Sequence, residues 1–79
     1  MILRRLGQKP DAAQSCQGGR NCPDIFELKS GDFAVIGADI TLQAALSLPH
    51  DAGCGPNERI VQVPRRTLVL ARSDIPSRV

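Results

Sequence analysis

The chain has 79 residues, and ten Lys and Arg against eight Asp and Glu give it a formal net charge of +2. A chain of this length forms at most one small domain, whose core lies near the lower limit for independent stability. Two Phe are its only aromatic residues, so the core must be built from Ile, Leu and Val, and base stacking on nucleic acid is not expected. We therefore expect a further source of stability, either a metal ion, a disulfide or a partner chain.

Residues 1–21 contain several Gly and Gln and few large apolar side chains after Leu6. This composition predicts a flexible N-terminal arm. The first six residues could dock as a short strand or a helical turn, but Gly7 and Pro10 would end either one quickly.

Two apolar runs follow, at 25–28 and 33–36, and they flank Ser30 and Gly31. A tight turn between alternating residues is typical of a β-hairpin, and we predict one over 24–37 with a two-residue loop at Ser30 and Gly31. Its register places apolar pairs on one face and an opposite-charge pair beside the turn. The predicted pairs are Lys29 with Asp32, Leu28 with Phe33, Glu27 with Ala34, Phe26 with Val35, and Ile25 with Ile36.

A short helix is predicted over 41–48. Asp39 or Thr41 is its expected N-cap, Pro49 ends it, and the side chains of Leu42, Ala45 and Leu46 form its apolar side.

The chain after the loop at 49–58 holds a strand and an ambiguous segment. The alternation at 59–63 predicts a third antiparallel strand. Residues 64–72 have β-favouring side chains at 67–70, but they also fit a helix with Leu68, Ala71 and Ile75 on one side. We favour the helix.

The predicted fold is therefore α+β, with a small antiparallel sheet made of the hairpin at 24–37 and the strand at 59–63, and one or two short helices. We expect a flexible arm at 1–21, a single small domain at 22–75 and a frayed C-terminus at 76–79.

Three cysteines and the single His form a possible zinc ligand set, namely Cys16, Cys22, His50 and Cys54. Zinc prefers four such ligands in a tetrahedron, and a structural ion here would join the arm to the loop before the third strand. The gap between Cys16 and Cys22 is longer than is usual for zinc knuckles. The alternative is three ordinary thiols and a solvent-facing His50.

The surface of the last helix is the predicted partner-binding site, formed by Arg65, Arg66, Val69 and Arg72. Its arginines could meet phosphates, although no helix-turn-helix pattern of adequate length is present. Apolar residues at 68–70 cannot all point inward from a helix, and a sheet of few strands leaves free edges that can accept a partner strand. A protein partner or self-association is expected, and nucleic acid is possible.

Neither catalytic chemistry nor membrane insertion is expected. No complete set of nucleophile, base and orienting group is identifiable, and the chain is too short to enclose a substrate pocket. Nothing resembles a signal peptide or a membrane span, so we expect a cytoplasmic protein.

Several short motifs lie between residue 21 and about residue 71. They are Cys-Pro at 22–23, an aromatic at Phe26, Gly31, Val-Ile-Gly at 35–37, and Val-Gln-Val-Pro at 61–64 with a later Leu. This pattern resembles that of short uncharacterised actinobacterial proteins, although those more often have Tyr at the position of Phe26 and Arg at that of Ser30. The resemblance implies a small cytoplasmic protein, often encoded beside regulatory genes, and assigns no catalytic residue.

The function predicted from the sequence is that of a small non-enzymatic protein-interaction or regulatory accessory module that binds another macromolecule. The alternative is a zinc-stabilised nucleic-acid-binding module. Metal content and salt-dependent binding distinguish the two.

Overall fold

A computed structural model describes residues 1–7 and 22–79. These residues form a three-stranded antiparallel sheet, a separate two-stranded antiparallel sheet and two short helices, which confirms the expected α+β class. The strands are β1 (Ile2–Arg5), β2 (Asp24–Leu28), β3 (Phe33–Ile36), β4 (Ala38–Asp39) and β5 (Val61–Gln62), and the helices are α1 (Thr41–Ala44) and α2 (Arg65–Ala71). Short 3-10 turns at Ala45–Ser47 and Arg72–Asp74 follow the two helices.

The β2–β3 hairpin forms where it was expected, but the predicted register is wrong by one residue. Ile25 lies opposite Val35 and Phe26 opposite Ala34. Leu28 is the last residue of β2, and its N–H donates to the Asp32 carbonyl at 2.8 Å. The loop between them therefore holds three residues, and Phe33 faces Glu27 instead of Leu28.

Glycine at position 31 explains the longer loop. A two-residue type I′ loop requires positive φ at both central residues, which Ser30 disfavours. A three-residue loop needs positive φ only at its last residue, and Gly31 has φ +97°. Its N–H donates to the Leu28 carbonyl at 2.9 Å and closes the turn.

The third strand of this sheet is β1, which lies beside β2 and gives the order β1-β2-β3. Of the two conformations left open for the first residues, the strand is the one adopted, with a register shift between Ile2 and Arg4. Residues 1–7 thus belong to the sheet. Residues 8–21, the rest of the expected arm, lie outside the described residues, so the division of the chain at 21 and at 75 stays a prediction.

Helix α2 forms in the segment where helix and strand competed, and it packs on one face of the three-stranded sheet. The buried apolar core there consists of Leu6, Ile25 and Ala71. Gly7 lets the chain pass close to the helix, because a Cβ at this position would lie 3.1 Å from backbone atoms of Leu70 and Ala71. The predicted inward side of the helix is thus correct at Ala71.

The strand expected at 59–63 is shorter than predicted and joins a different sheet. Only Val61 and Gln62 are in β5, which pairs with β4. Gly37 precedes β4 and allows the two strands to meet, since a Cβ there would lie 2.5 Å from the Gln62 carbonyl oxygen.

Helix α1 has four residues, followed by the 3-10 turn, and the side chains expected to form its apolar side point into solvent. Leu42 is 90% exposed and Leu46 is 98% exposed. The N-cap residue is Ile40, which makes no side-chain cap bond. Asp39, one residue earlier, instead accepts the N–H of Thr41 at 3.0 Å.

Candidate functional site

An apolar groove of about 200 Å³ lies between β3 and α2. Its lining residues are Ile25, Phe33, Val35, Leu68 and Ile75. The groove exists because the small Ala71 brings α2 close to Leu6 and Ile25, on the β1–β2 side of the sheet. The face of β3 is left partly uncovered, and Phe33 and Val35 are each 43% exposed.

The backbone of β3 adds hydrogen-bonding groups to this groove. The Ile25 carbonyl accepts the N–H of Leu6 at 3.0 Å and therefore points towards β1. In an antiparallel pair, bonded and non-bonded positions alternate, so Val35, which lies opposite Ile25, directs its N–H and C=O away from β2. The bond from Leu28 to Asp32 at the hairpin end places Phe33 in the same orientation.

The outer edge of β3 is free among the described residues, since β3 is the last strand in the order β1-β2-β3. Within residues 1–7 and 22–79, this edge has none of the usual protections against strand addition, which are charges, Pro, bulges or a covering strand. The sequence Phe-Ala-Val-Ile of β3 has no charged side chain.

The opposite edge of the sheet, β1, is different because it carries two arginines and a register shift. Arg4 Nε lies 3.0 Å from Glu27 Oε1, and Arg5 Nε lies 3.0 Å from Asp24 Oδ2. These ion pairs hold charged side chains across the β1–β2 strands. Of the two edges of this sheet, β1 thus has protective charges and a register shift, whereas β3 has neither.

The predicted partner-binding residues Arg65, Arg66, Val69 and Arg72 all lie on the exposed surface of α2 and the turn after it. The structure thus places these residues close together along the chain, and their role in partner binding stays a prediction. The side chains of Arg65, Arg66 and Arg72 make no hydrogen bond or ion pair with other described residues. Their charges are available to a partner.

The predicted zinc ligands are only partly within the described residues, since Cys16 lies outside them. Cys22 is 5% exposed and disulfide-bonded, Cys54 is a free, half-buried cysteine, and His50 is exposed. Within residues 1–7 and 22–79 no three His, Cys, Asp or Glu side chains come close enough to hold a metal ion. Zinc needs thiolates, so Cys22 could act as a ligand only after reduction. The ligand set and the zinc-stabilised nucleic-acid binder stay predictions.

A second, open cavity of about 410 Å³ lies beside α1 and is lined by Asp39, Thr41, Leu42, Gln43 and Arg59. Asp39 Oδ1 accepts the Thr41 hydroxyl at 2.6 Å, and Arg59 Nε lies 3.7 Å from Asp39 Oδ2. The Thr41 hydroxyl and N–H, with a smaller contribution from Arg59, hold the pKa of Asp39 below its usual range. The side chains of Asp39, Thr41 and Arg59 that line this cavity thus already bind one another at an exposed surface.

Sequence reasoning missed the groove because it assigned its residues to the interior. Phe33 and Val35 were expected on the packed face of the hairpin, and Leu68 and Ile75 on the inner side of the last helix. The apolar surplus at 68–70 indicated an exposed apolar surface on the last helix, but no sequence signal indicated that β3 would border it.

No family model, curated protein or solved structure matches the chain. The resemblance to short actinobacterial proteins accordingly stays a prediction. None of the helices in residues 1–7 and 22–79 has the length and apolar character needed to cross a membrane.

Proposed function

We propose that this chain is a non-enzymatic protein-interaction module that binds an extended segment of another protein along β3. The observation that carries the proposal is the outer edge of β3, which no strand of the described part of the chain covers, beside an apolar groove. The backbone groups of Phe33 and Val35 offer two N–H donors and two C=O acceptors in the spacing that an added strand requires.

The groove provides the second part of the binding energy. An added strand points every other side chain to the face that α2 covers. Apolar side chains at those positions would fill the space lined by Phe33, Val35, Leu68 and Ile75. Main-chain bonds would then supply affinity, and the groove would select alternating apolar residues.

A cytoplasmic location and a regulatory role were expected from the sequence, and both stay part of this proposal. The disulfide at Cys22 counts against a reducing compartment, because disulfides persist mainly in oxidising ones. The proposed binding mode requires neither expectation.

Two peptides test the proposal by titration into the isotope-labelled full chain, observed by NMR. Each has a Val-Thr-Val-Thr-Val centre, with two Glu at each end in the first peptide and two Lys at each end in the second. We expect at least one of them to shift the amide signals of Phe33 and Val35, while the signals of α1 stay in place. If neither peptide shifts the β3 amides, the proposal is wrong.

Matched variants at Val35 provide the control. Val35→Pro removes the outward N–H at an edge position where Pro is tolerated, and it should abolish binding while the fold is retained. Val35→Thr keeps the N–H and the β-branched shape and should bind within a few-fold of the parent. Equal binding by the two variants would exclude strand addition.

A further inference from the structure

Two arginines flank the stretch of α2 that lines the groove: Arg65 is the first residue of the helix, and Arg72 directly follows its last. With 3.6 residues per turn, neighbouring residues on a helix are about 100° apart. Arg65 and Arg72 therefore lie about 60° and 40° around the helix from Leu68, on the side away from the buried Ala71. Leu68 lines the groove, so these two arginines border its open side.

Arg66 provides an internal comparison. It lies about 160° around the helix from Leu68, and so on the opposite side from the groove. Like Arg65 and Arg72 it is exposed. The three arginines thus carry the same charge and lie on α2 or directly after it, but they differ in the side of the helix that they occupy.

The acidic side chains near the groove balance the charges of Arg65 and Arg72 only in part. Glu27, which lies opposite Phe33, is paired with Arg4 at 3.0 Å. Asp74, just after α2, accepts the N–H of Gly7 through Oδ2 at 2.7 Å but keeps its negative charge, so it offsets one of the two arginines. The groove is therefore apolar at its base and positively charged at its helical border.

A second copy of this chain is an unfavourable occupant of the groove beside β3. Antiparallel pairing of β3 with its own copy would extend the sheet about a two-fold axis and place both α2 helices on the same face. The Arg65 and Arg72 side chains of one copy would then lie across a single shared groove from the Arg65 and Arg72 side chains of the other copy. Like charges in that arrangement repel, whereas an acidic segment would be attracted.

We infer that the segment bound by β3 is an acidic one, with alternating apolar residues that enter the groove and Asp or Glu beside them that pair with Arg65 and Arg72. This inference rests on the proposed function and adds to it the chemical class of the partner. The arginines are specificity-determining residues here, and the backbone of β3 is what holds the strand.

The Glu-ended and Lys-ended peptides distinguish this inference from the proposed function itself. Exposed ion pairs each contribute modestly, so two of them should make the Glu-ended peptide bind about fivefold more tightly than the Lys-ended one. The difference should shrink at high salt because exposed charges are screened. The double variant Arg65→Glu with Arg72→Glu should reverse the preference, and Arg66→Glu should retain it.

Any different result would reject the inference, and each would indicate a different explanation. Equal binding of both peptides at Phe33 and Val35 would reject the acidic partner and leave strand addition standing, whereas no shift at β3 with either peptide would reject both. Concentration-dependent dimerisation that broadens the β3 amides would identify a second copy as the occupant. Binding of a single-stranded DNA oligonucleotide to the arginines without any change at β3 would favour nucleic acid instead.

Discussion

Arg5 Nε donates to both carboxylate oxygens of Asp24, at 3.0 Å to Oδ2 and 3.2 Å to Oδ1. The two side chains differ in exposure, at 39% for Arg5 and 9% for Asp24. The guanidinium carbon lies 5.6 Å from the centre of the Phe26 ring, and Asp24 Oδ1 also accepts the N–H of Ile25 at 3.0 Å. The carboxylate is therefore the buried end of this ion pair, and the guanidinium reaches water.

This difference predicts unequal costs for removing the two partners. Arg5→Met leaves a buried carboxylate without its cation and should lower the free energy of unfolding by about 2–3 kcal/mol, less than a fully buried pair would lose. Asp24→Asn keeps an acceptor for Ile25 and leaves Arg5 in contact with water, so it should cost about 1 kcal/mol. Urea unfolding at neutral pH measures both. A larger loss in Asp24→Asn would show that the arginine is the buried partner.

The corrected hairpin register predicts which apolar residue matters most for stability. Ile25 is 4% exposed and belongs to the core, whereas Phe33 is 43% exposed at the groove. From the sequence alone, Phe33→Ala should cost about 3 kcal/mol. In the observed fold we expect about 1–2 kcal/mol for Phe33→Ala, because half of the ring is already in water, and about 2–4 kcal/mol for Ile25→Ala. Thermal unfolding should therefore give a lower melting temperature for Ile25→Ala than for Phe33→Ala.

The hairpin itself was predictable, because two apolar runs and a Gly between them are local signals. Its register was not, because apolar side chains occupy both faces of β2 and β3. The predicted pairing avoided placing Phe33 opposite Glu27. The folded chain tolerates that pair because Arg4 of β1 binds Glu27 from the other side, and no local pattern places β1 there.

The groove and the exposed α1 were unpredictable for a related reason. Periodicity indicates which side of a helix is apolar, but it does not show whether another element covers that side. Leu42 lies in α1 and Leu46 in the 3-10 turn after it, and both point into solvent instead of forming a packed apolar side. Leu68 similarly lies on the side of α2 that was predicted to be apolar, but it lines the partly open groove instead of the core.

Close backbone approach at Gly37 predicts a position-specific effect of alanine. A Cβ at Gly37 would lie 2.5 Å from the Gln62 carbonyl oxygen, whereas at Gly53 it would meet nothing within 4 Å. Gly37→Ala should therefore push β4 and β5 apart and destabilise the protein by about 1–3 kcal/mol. Gly53→Ala is the matched control and should be neutral or stabilising by up to about 1 kcal/mol. Equal melting temperatures for the two variants would contradict the observed pairing of β4 with β5.

Oxidation of Cys22 predicts how the protein reacts with thiol reagents and with zinc. In unfolded, non-reduced protein, alkylation followed by mass spectrometry should label Cys54 and not Cys22. Folded, non-reduced protein that is purified without chelator should contain no zinc, because a disulfide sulfur is not a thiolate.

Reduction makes Cys22 available and tests the predicted ligand set directly. One equivalent of zinc bound by the reduced chain, lost in His50→Ala and followed by unfolding on chelation, would support that set. Labelling of Cys22 without prior reduction would contradict the disulfide.

The interactions of Asp39 with Thr41 and Arg59 predict a pH effect with a definite sign. The pKa of Asp39 is lowered first by the Thr41 hydroxyl, then by the Thr41 N–H, and least by Arg59. Because the pKa is lower in the folded chain than in the unfolded one, the charged carboxylate stabilises the fold. That stabilisation is complete above the unfolded-state pKa of about 3.9 and is lost as the pH falls through the folded-state value.

Two measurements test this effect. NMR titration of the Asp39 carboxyl carbon should show a pKa below the ordinary value, which Thr41→Val raises more than Arg59→Gln does. In urea unfolding, the parent should be more stable than Asp39→Asn at neutral pH, and this advantage should vanish in strong acid, where the parent carboxyl is also uncharged. The asparagine amide oxygen can still accept from Thr41, so an advantage that persists in strong acid would contradict stabilisation by the charge of Asp39.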